Sequence, residues 1–152
     1  MSPRVVLLAA DHAGYELKQD LSGHLVDLGY QVVDLGTDSS ESVDYPDFAH
    51  RLAEAIERGE GRYGILCCGA GIGMSIAANR HSGVRAANCL DERMAGLARE
   101  HNDANVLCLG SRLLDPDQAK KIVWTFLETA FGGGRHGRRV EKIEGIKAEA
   151  GA

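Results

Sequence analysis

The chain has 152 residues, of which 44% are hydrophobic and 26% are charged. This composition is typical of one globular domain with its own core, and we take residues 1–152 as that domain. The net charge of −5 disfavours nucleic acid as the main partner. The short N-terminal apolar run is not a signal peptide and no apolar stretch is long enough to span a membrane, so we expect a cytoplasmic protein with no membrane partner.

Five short apolar segments without strict alternation are typical of strands that are covered on both faces. In chain order they are residues 4–10, 30–36, 63–68, 83–89 and 105–110. Helical patterns alternate with them over residues 13–28, 46–58, 72–80, 91–101 and 116–131, and a basic helix follows from about residue 135. The alternation predicts an α/β fold, a three-layer Rossmann-like α/β/α sandwich with a five-stranded parallel sheet.

In such a sheet, ligands bind at the carboxyl ends of the strands. Reactive or polar side chains follow four of the five predicted strands at this edge: Asp11, His12, Cys68, Asp91, Ser111 and Arg112. The topology alone therefore predicts that these groups form one cluster.

The stretch CCGAGIG, residues 67–73, joins the third strand to a helix. It lacks the last glycine of the dinucleotide fingerprint, because Met74 follows Gly73, although Asp91 lies near the place of a ribose-binding acid. It also lacks the lysine of a Walker A loop and the arginine of a phosphatase C-x5-R loop. What remains is either a row of backbone N–H groups that favours an anion or a tight turn with glycines for packing.

Cys68 ends the third strand and is expected at the ligand edge, whereas Cys67 points to the opposite face. A helix N-terminus beside a thiol favours the thiolate form, but a small buried hydrophobic role is common for cysteine. We assign that buried role to Cys67, Cys89 and Cys108 and expect no disulfide framework. A redox pair formed by Cys67 and Cys68 is an alternative.

Two histidines and an aspartate have both functional and structural interpretations. Asp11 is either an N-cap or a site residue, and His12 follows it. His101 lies at helical spacing from Met94 and Leu97, so it faces inward or into an interface, as a core histidine or as a catalytic one.

The segment GRHGRR places Arg135 and Arg139 four residues apart, on one face of a helix. Two like charges repel each other there unless an anion lies between them, and guanidinium groups suit a phosphate dianion. The alternative is a solvated basic face. No set of His, Cys, Asp and Glu has metal-ligand spacing, so we predict no metal.

Five motifs in order resemble the ribose-5-phosphate isomerase type B family, which includes galactose-6-phosphate and allose-6-phosphate isomerases. The resemblance extends over residues 5–146. The motifs are AADHAG, DYPDFA, CGAGIGMSIAAN, REHNDANVLCLGSR and GGRHGRRV.

The resemblance implies cofactor-free interconversion of aldose and ketose phosphates in a homodimer, or a tetramer, with active sites at the subunit interface. It makes Cys68 the base between C1 and C2, His101 the ring-opening group and Asp11 a group that positions the sugar. The implied binding residues are His12, Tyr45, Gly69, Ala70, Gly71, Ile72, Gly73, Asn102, Arg112, Arg135 and Arg139. Among these, His12, Arg135 and Arg139 hold the phosphate, and His101, Asn102 and Arg112 come from the partner.

One position departs from the family pattern. Ala70 stands where the family usually has Thr or Ser, so a hydroxyl donor is missing. Ribose 5-phosphate is the expected substrate, with a hexose 6-phosphate such as allose or galactose 6-phosphate as the alternative. A nucleotide-binding module without catalysis is a further alternative.

Overall fold

The computed structural model describes residues 4–150, with side chains as far as residue 145. Residues 1–3 and 151–152 of the predicted domain lie outside the described residues. The strands are β1 Val5–Ala10, β2 Gln31–Asp34, β3 Tyr63–Cys68, β4 Ala86–Asn88 and β5 Val106–Gly110. The helices are α1 Tyr15–Asp27, α2 Tyr45–Glu57, α3 Ile72–Ala78, α4 Glu92–Asn102, α5 Pro116–Glu128 and α6 Arg135–Ala150.

The five strands form one parallel sheet in the order β2-β1-β3-β5-β4. This confirms the predicted α/β fold. The two edge strands are shorter than the apolar pattern predicted, because each has only one neighbour to pair with. β4 pairs with β5 from Ala86 to Asn88 only, and the apolar residues on either side of it continue as loop.

Helices cover both faces of the sheet. Residues of α1, α4 and α5 form one hydrophobic cluster, and residues of α2 and α3 form the other. Leu7 and Leu8 are fully buried in opposite clusters, and burying a leucine side chain stabilises the fold by about 1.5–3 kcal/mol. Among the described residues, no helix has the length and apolarity needed to cross a membrane.

α6 lies beside α4 rather than on the sheet. α5 ends at Glu128 instead of the predicted residue 131, because Thr129 adopts extended backbone angles. Farther along α6, Glu144 accepts hydrogen bonds from Arg85 Nη1 at 3.2 Å and from the Gly83 amide at 3.3 Å. These contacts hold α6 against the loop before β4. They therefore also position the basic first turns of the helix.

Candidate active site

Cys68 is the last residue of β3, opposite Gly110 of β5, and is 5% exposed. Its Sγ accepts a hydrogen bond from the Gly71 amide at 3.1 Å. The neighbouring Cys67 packs into the cluster on the other face, as its position in the strand predicted. A thiolate at Cys68 would therefore receive a backbone N–H, whereas Cys67 has no access to the same edge.

The other three thiols are buried, as predicted. Desolvation raises the pKa of Cys67 and Cys108 above the ordinary range. It also raises the pKa of Cys89 to about 11. These thiols are protonated near neutral pH and have packing roles.

The glycine loop between β3 and α3 presents backbone N–H groups at the start of a helix. Gly71 has a φ of 79° and caps α3, and the amides of Ile72 and Gly73 lie in the first turn, where helices have no internal acceptors. A Cβ on Gly73 would lie 2.5 Å from Cε1 of Tyr45, and one on Gly69 would lie 2.9 Å from Nη1 of Arg112. The loop therefore brings Tyr45 and Arg112 into contact with its backbone.

A left-handed backbone conformation costs a non-glycine residue about 1–3 kcal/mol. We expect Gly71→Ala to destabilise the fold by more than this. The added Cβ would also lie 2.4 Å from Asn88 Oδ1 and 3.1 Å from the Leu109 carbonyl carbon. Thermal unfolding measures the loss. Gly83→Ala is the matched control, since Gly83 has a φ of 80° but nothing within 4 Å of its Cβ position. Equal losses in the two variants would remove the steric part of this argument.

Asp11 and His12 follow β1 at the same edge. Asp11 is 6% exposed, and its Oδ1 accepts from the Gly14 amide at 3.0 Å. Gly14, not Asp11, is the N-cap of α1, so the carboxylate closes the turn before the helix. His12 Nδ1 accepts from the Val43 amide at 3.1 Å, which leaves the proton on Nε2, where it can be donated to a ligand.

Arg112 belongs to the same group within one chain. Its amide donates to the Gly69 carbonyl at 3.0 Å, and its guanidinium lies against Gly69. This corrects the expectation that Arg112 reaches the site from a partner, because the turn after β5 holds it beside its own glycine loop. In the described part of the chain, no group of three or more His, Cys, Asp and Glu side chains is arranged to hold a metal ion.

His101 and Asn102 lie at the opposite edge of the sheet. They end α4, and the chain enters β5 only four residues later, at Val106. Arg99, two residues before His101, stacks at 4.8 Å on the ring of Tyr63, the first residue of β3. Cys68 is the last residue of that strand, and a six-residue strand is about 17–20 Å long. One chain therefore does not bring His101 and Cys68 together.

The basic first turn of α6 packs against the end of α4 that carries His101. His136 stacks on His101, with ring centroids 4.3 Å apart and an interplanar angle of 13°. Desolvation, followed by repulsion from His101, Arg135 and Arg139, lowers the pKa of His136. His101, Arg135 and Arg139 lie close enough to His136 to act on its charge, so several basic side chains share this end of the molecule.

Asn88 is a residue whose position sequence reasoning missed. It ends β4, and its Nδ2 donates to the Ala70 carbonyl at 3.3 Å, behind the glycine loop. A polar residue at the carboxyl end of an apolar strand is the signal that could have pointed to it.

Comparison with known proteins identifies relatives over most of the chain. The Ribose/Galactose Isomerase family model matches residues 6–143. The chain is 46% identical over 142 residues to ribose-5-phosphate isomerase B of Escherichia coli, covering 93% of this chain and 95% of that protein.

Solved structures agree with this result. Ribose-5-phosphate isomerase B of Clostridium thermocellum superposes with a TM-score of 0.95 at 49% identity, covering 96% of this chain and 99% of that chain. The enzyme of Mycoplasma genitalium, solved with bound ribulose-5-phosphate, gives a TM-score of 0.91 at 43% identity and covers 95% and 97% of the two chains. With the site geometry and these matches, the chain belongs to the ribose/galactose isomerase family.

Proposed function

We propose that this protein interconverts ribose 5-phosphate and ribulose 5-phosphate through an enediolate, without a cofactor. The observation that carries the proposal is the hydrogen bond from the glycine loop to Cys68 Sγ, next to further backbone amides. The relative with bound ribulose-5-phosphate is 43% identical and has the same fold. This isomerisation needs a base that moves a proton and hydrogen-bond donors that stabilise an oxyanion, and the Cys68 thiol and the loop amides would supply them.

The chemistry follows from these positions. The Cys68 thiolate removes the proton from C2 of the open-chain aldose, and the negative charge develops on O1. Amides of the loop at residues 69–73 stabilise that oxyanion where it forms, which is commonly a large part of such catalysis. The proton on the O2 hydroxyl is transferred to O1, and the Cys68 thiol returns the abstracted proton to C1, which leaves the ketose with a C2 carbonyl and a C1 hydroxyl. Asp11 positions the sugar hydroxyls and the ring oxygen.

A complete site needs two chains in this proposal. Exposed apolar residues flank both halves: Ile72 and Ile76 stand beside the glycine loop, and Met94 and Leu97 precede His101 on α4. In a two-fold dimer, the apolar surface beside the glycine loop of each chain could pack against the apolar surface of α4 in the other chain, so this contact would occur twice. It would bring His101 to the partner's Cys68 for ring opening, with Asn102 beside it. A tetramer would pair two such dimers.

The phosphate would lie between His12 of one chain and the α6 arginines of the other. Arg135 and Arg139 both act on His136 electrostatically, and the Arg85–Glu144 contact holds their helix. Phosphate binding far from C1 and C2 supplies energy that fixes the reacting carbons against the base. The four cysteines are unpaired, in keeping with the reducing cytoplasm, which we propose as the location.

We expect Arg139→Ala to raise the KM for ribose 5-phosphate by about 10–100-fold, the value of one lost charge-assisted hydrogen bond. The dependence of KM on ionic strength should also become flatter. Steady-state kinetics at two salt concentrations measures both effects. Arg138→Ala is the matched control, because Arg138 is also exposed but, as the preceding residue of the helix, points in a different direction from Arg139. An unchanged KM in Arg139→Ala would favour the alternative, in which Arg135 and Arg139 form a solvated basic face and do not bind phosphate.

The function itself is tested by incubating the protein with ribose 5-phosphate, allose 6-phosphate, galactose 6-phosphate and unphosphorylated ribose. Ketose formation is followed by NMR. We expect the fastest turnover with ribose 5-phosphate and very little with free ribose. Faster turnover of a hexose phosphate would reassign the substrate, and turnover of none would contradict the proposal.

A further inference from the structure

One side chain outside the reacting groups contacts the glycine loop from behind. Asn88 ends β4, next to β5, and its Nδ2 lies 3.3 Å from the Ala70 carbonyl oxygen. Its Oδ1 lies beside Gly71, at 2.4 Å from where a Cβ on that glycine would be. Asn88 therefore contacts both residues of the peptide bond that joins Ala70 to Gly71.

The N–H of that peptide bond is the group that donates a hydrogen bond to Cys68. The Gly71 amide donates to Cys68 Sγ at 3.1 Å, and the Ala70 carbonyl belongs to the same peptide unit. A peptide unit is planar, with its C=O and N–H pointing in opposite directions. Whatever fixes the direction of the Ala70 carbonyl therefore also fixes the direction of the Gly71 N–H.

We propose that Asn88 is a positioning residue, which orients the 70–71 peptide so that its N–H stabilises the Cys68 thiolate. The catalytic use of that thiolate rests on the proposed function, but the stabilisation itself does not. Ala70 carries no hydroxyl with which to contribute a hydrogen bond of its own. Asn88 acts on the carbonyl side of this peptide, whereas Cys68 lies on its N–H side.

Stability alone does not account for an amide at this position. Within the described residues, Asn88 Oδ1 is buried and has no hydrogen-bond partner. A buried acceptor without a partner destabilises a fold, whereas an apolar side chain of similar shape avoids that cost. Exchanging the amide oxygen and nitrogen would set the oxygen against the Ala70 carbonyl, so the orientation with Nδ2 toward Ala70 is the one that satisfies a bond.

The test measures the thiolate directly, without substrate. Wild type, Asn88→Leu and Asn88→Ala are alkylated with chloroacetamide across a pH series, and modification of Cys68 is located by tandem mass spectrometry. Gln118→Ala is the matched control, because Gln118 Nε2 makes the same kind of bond at the same 3.3 Å, to the Leu90 carbonyl. Thermal unfolding and the pH profile of kcat are recorded for each variant.

We expect both Asn88 variants to shift the alkylation midpoint upward by about half a pH unit or more, a threefold or larger loss of thiolate below the midpoint. Asn88→Leu should unfold at or above the wild-type temperature, and the acidic limb of its kcat profile should shift with the alkylation midpoint. Gln118→Ala should match wild type. An unchanged midpoint in either folded variant overturns the proposal, even if activity falls.

The two proposals fail separately. If the midpoint shifts but Cys68→Ala remains active, Asn88 stabilises the thiolate and Cys68 is not the base. If Asn88→Leu does not fold, Asn88→Ala gives the decision. A midpoint shift of the same size in Gln118→Ala also overturns the proposal, because the effect would then be general.

Discussion

Cys68→Ala is expected to lower kcat for ribose 5-phosphate on the order of 10²–10⁴-fold, the range that general acid–base groups contribute. Among the described thiols, Cys68 Sγ accepts a hydrogen bond from the glycine loop, whereas desolvation raises the pKa of Cys67, Cys89 and Cys108. Binding should survive, because the contacts proposed for the phosphate and the sugar hydroxyls do not involve Sγ. Steady-state kinetics gives kcat, and calorimetric titration with the sugar phosphate gives Kd.

Cys67→Ala is the matched control for this change. It removes the same atom one residue earlier in β3, but from the hydrophobic cluster on the other face of the sheet. We expect a modest loss of stability from the small cavity and near wild-type kcat. Equal losses of kcat in both variants would contradict the assignment of a single base.

A refolded equal mixture of two inactive variants is expected to recover about a quarter of wild-type activity. Cys68→Ala and His101→Ala should each be nearly inactive on the ring-closed sugar, because each lacks one of the two proposed proton-transfer groups. The structure holds Cys68 and His101 at opposite edges of the sheet within one chain. If a site takes one residue from each chain, a mixed dimer has one doubly damaged site and one intact site.

The measurement unfolds the two proteins together in equal amounts and refolds them. Random pairing makes about half of the dimers mixed, so about a quarter of all sites are intact. Each variant refolded alone is the control, and native mass spectrometry establishes that mixed dimers have formed. Absence of recovery in a verified mixture would contradict the shared site while leaving both catalytic roles in place.

The sequence by itself determined the fold and half of the candidate site. Buried parallel strands require apolar residues in short runs, and these runs located all five strands; the edge strands β2 and β4 were overestimated. The rule that ligands bind at the carboxyl ends of strands then brought Asp11, His12, Cys68 and Arg112 to one edge. Strand alternation separated Cys67 from Cys68, because adjacent side chains point to opposite faces.

Only the tertiary structure decided which candidate site residues lie close together within one chain. Helix α4 returns His101 to the amino edge, and α6 stacks His136 on it, whereas the turn after β5 keeps Arg112 beside its own Gly69. The contact of Asn88 with the Ala70 carbonyl joins β4 to the loop after β3, which lie on opposite sides of β5 in sheet order. Local pattern fixes burial and periodicity, but such contacts depend on how distant elements pack, and no single stretch of sequence encodes that.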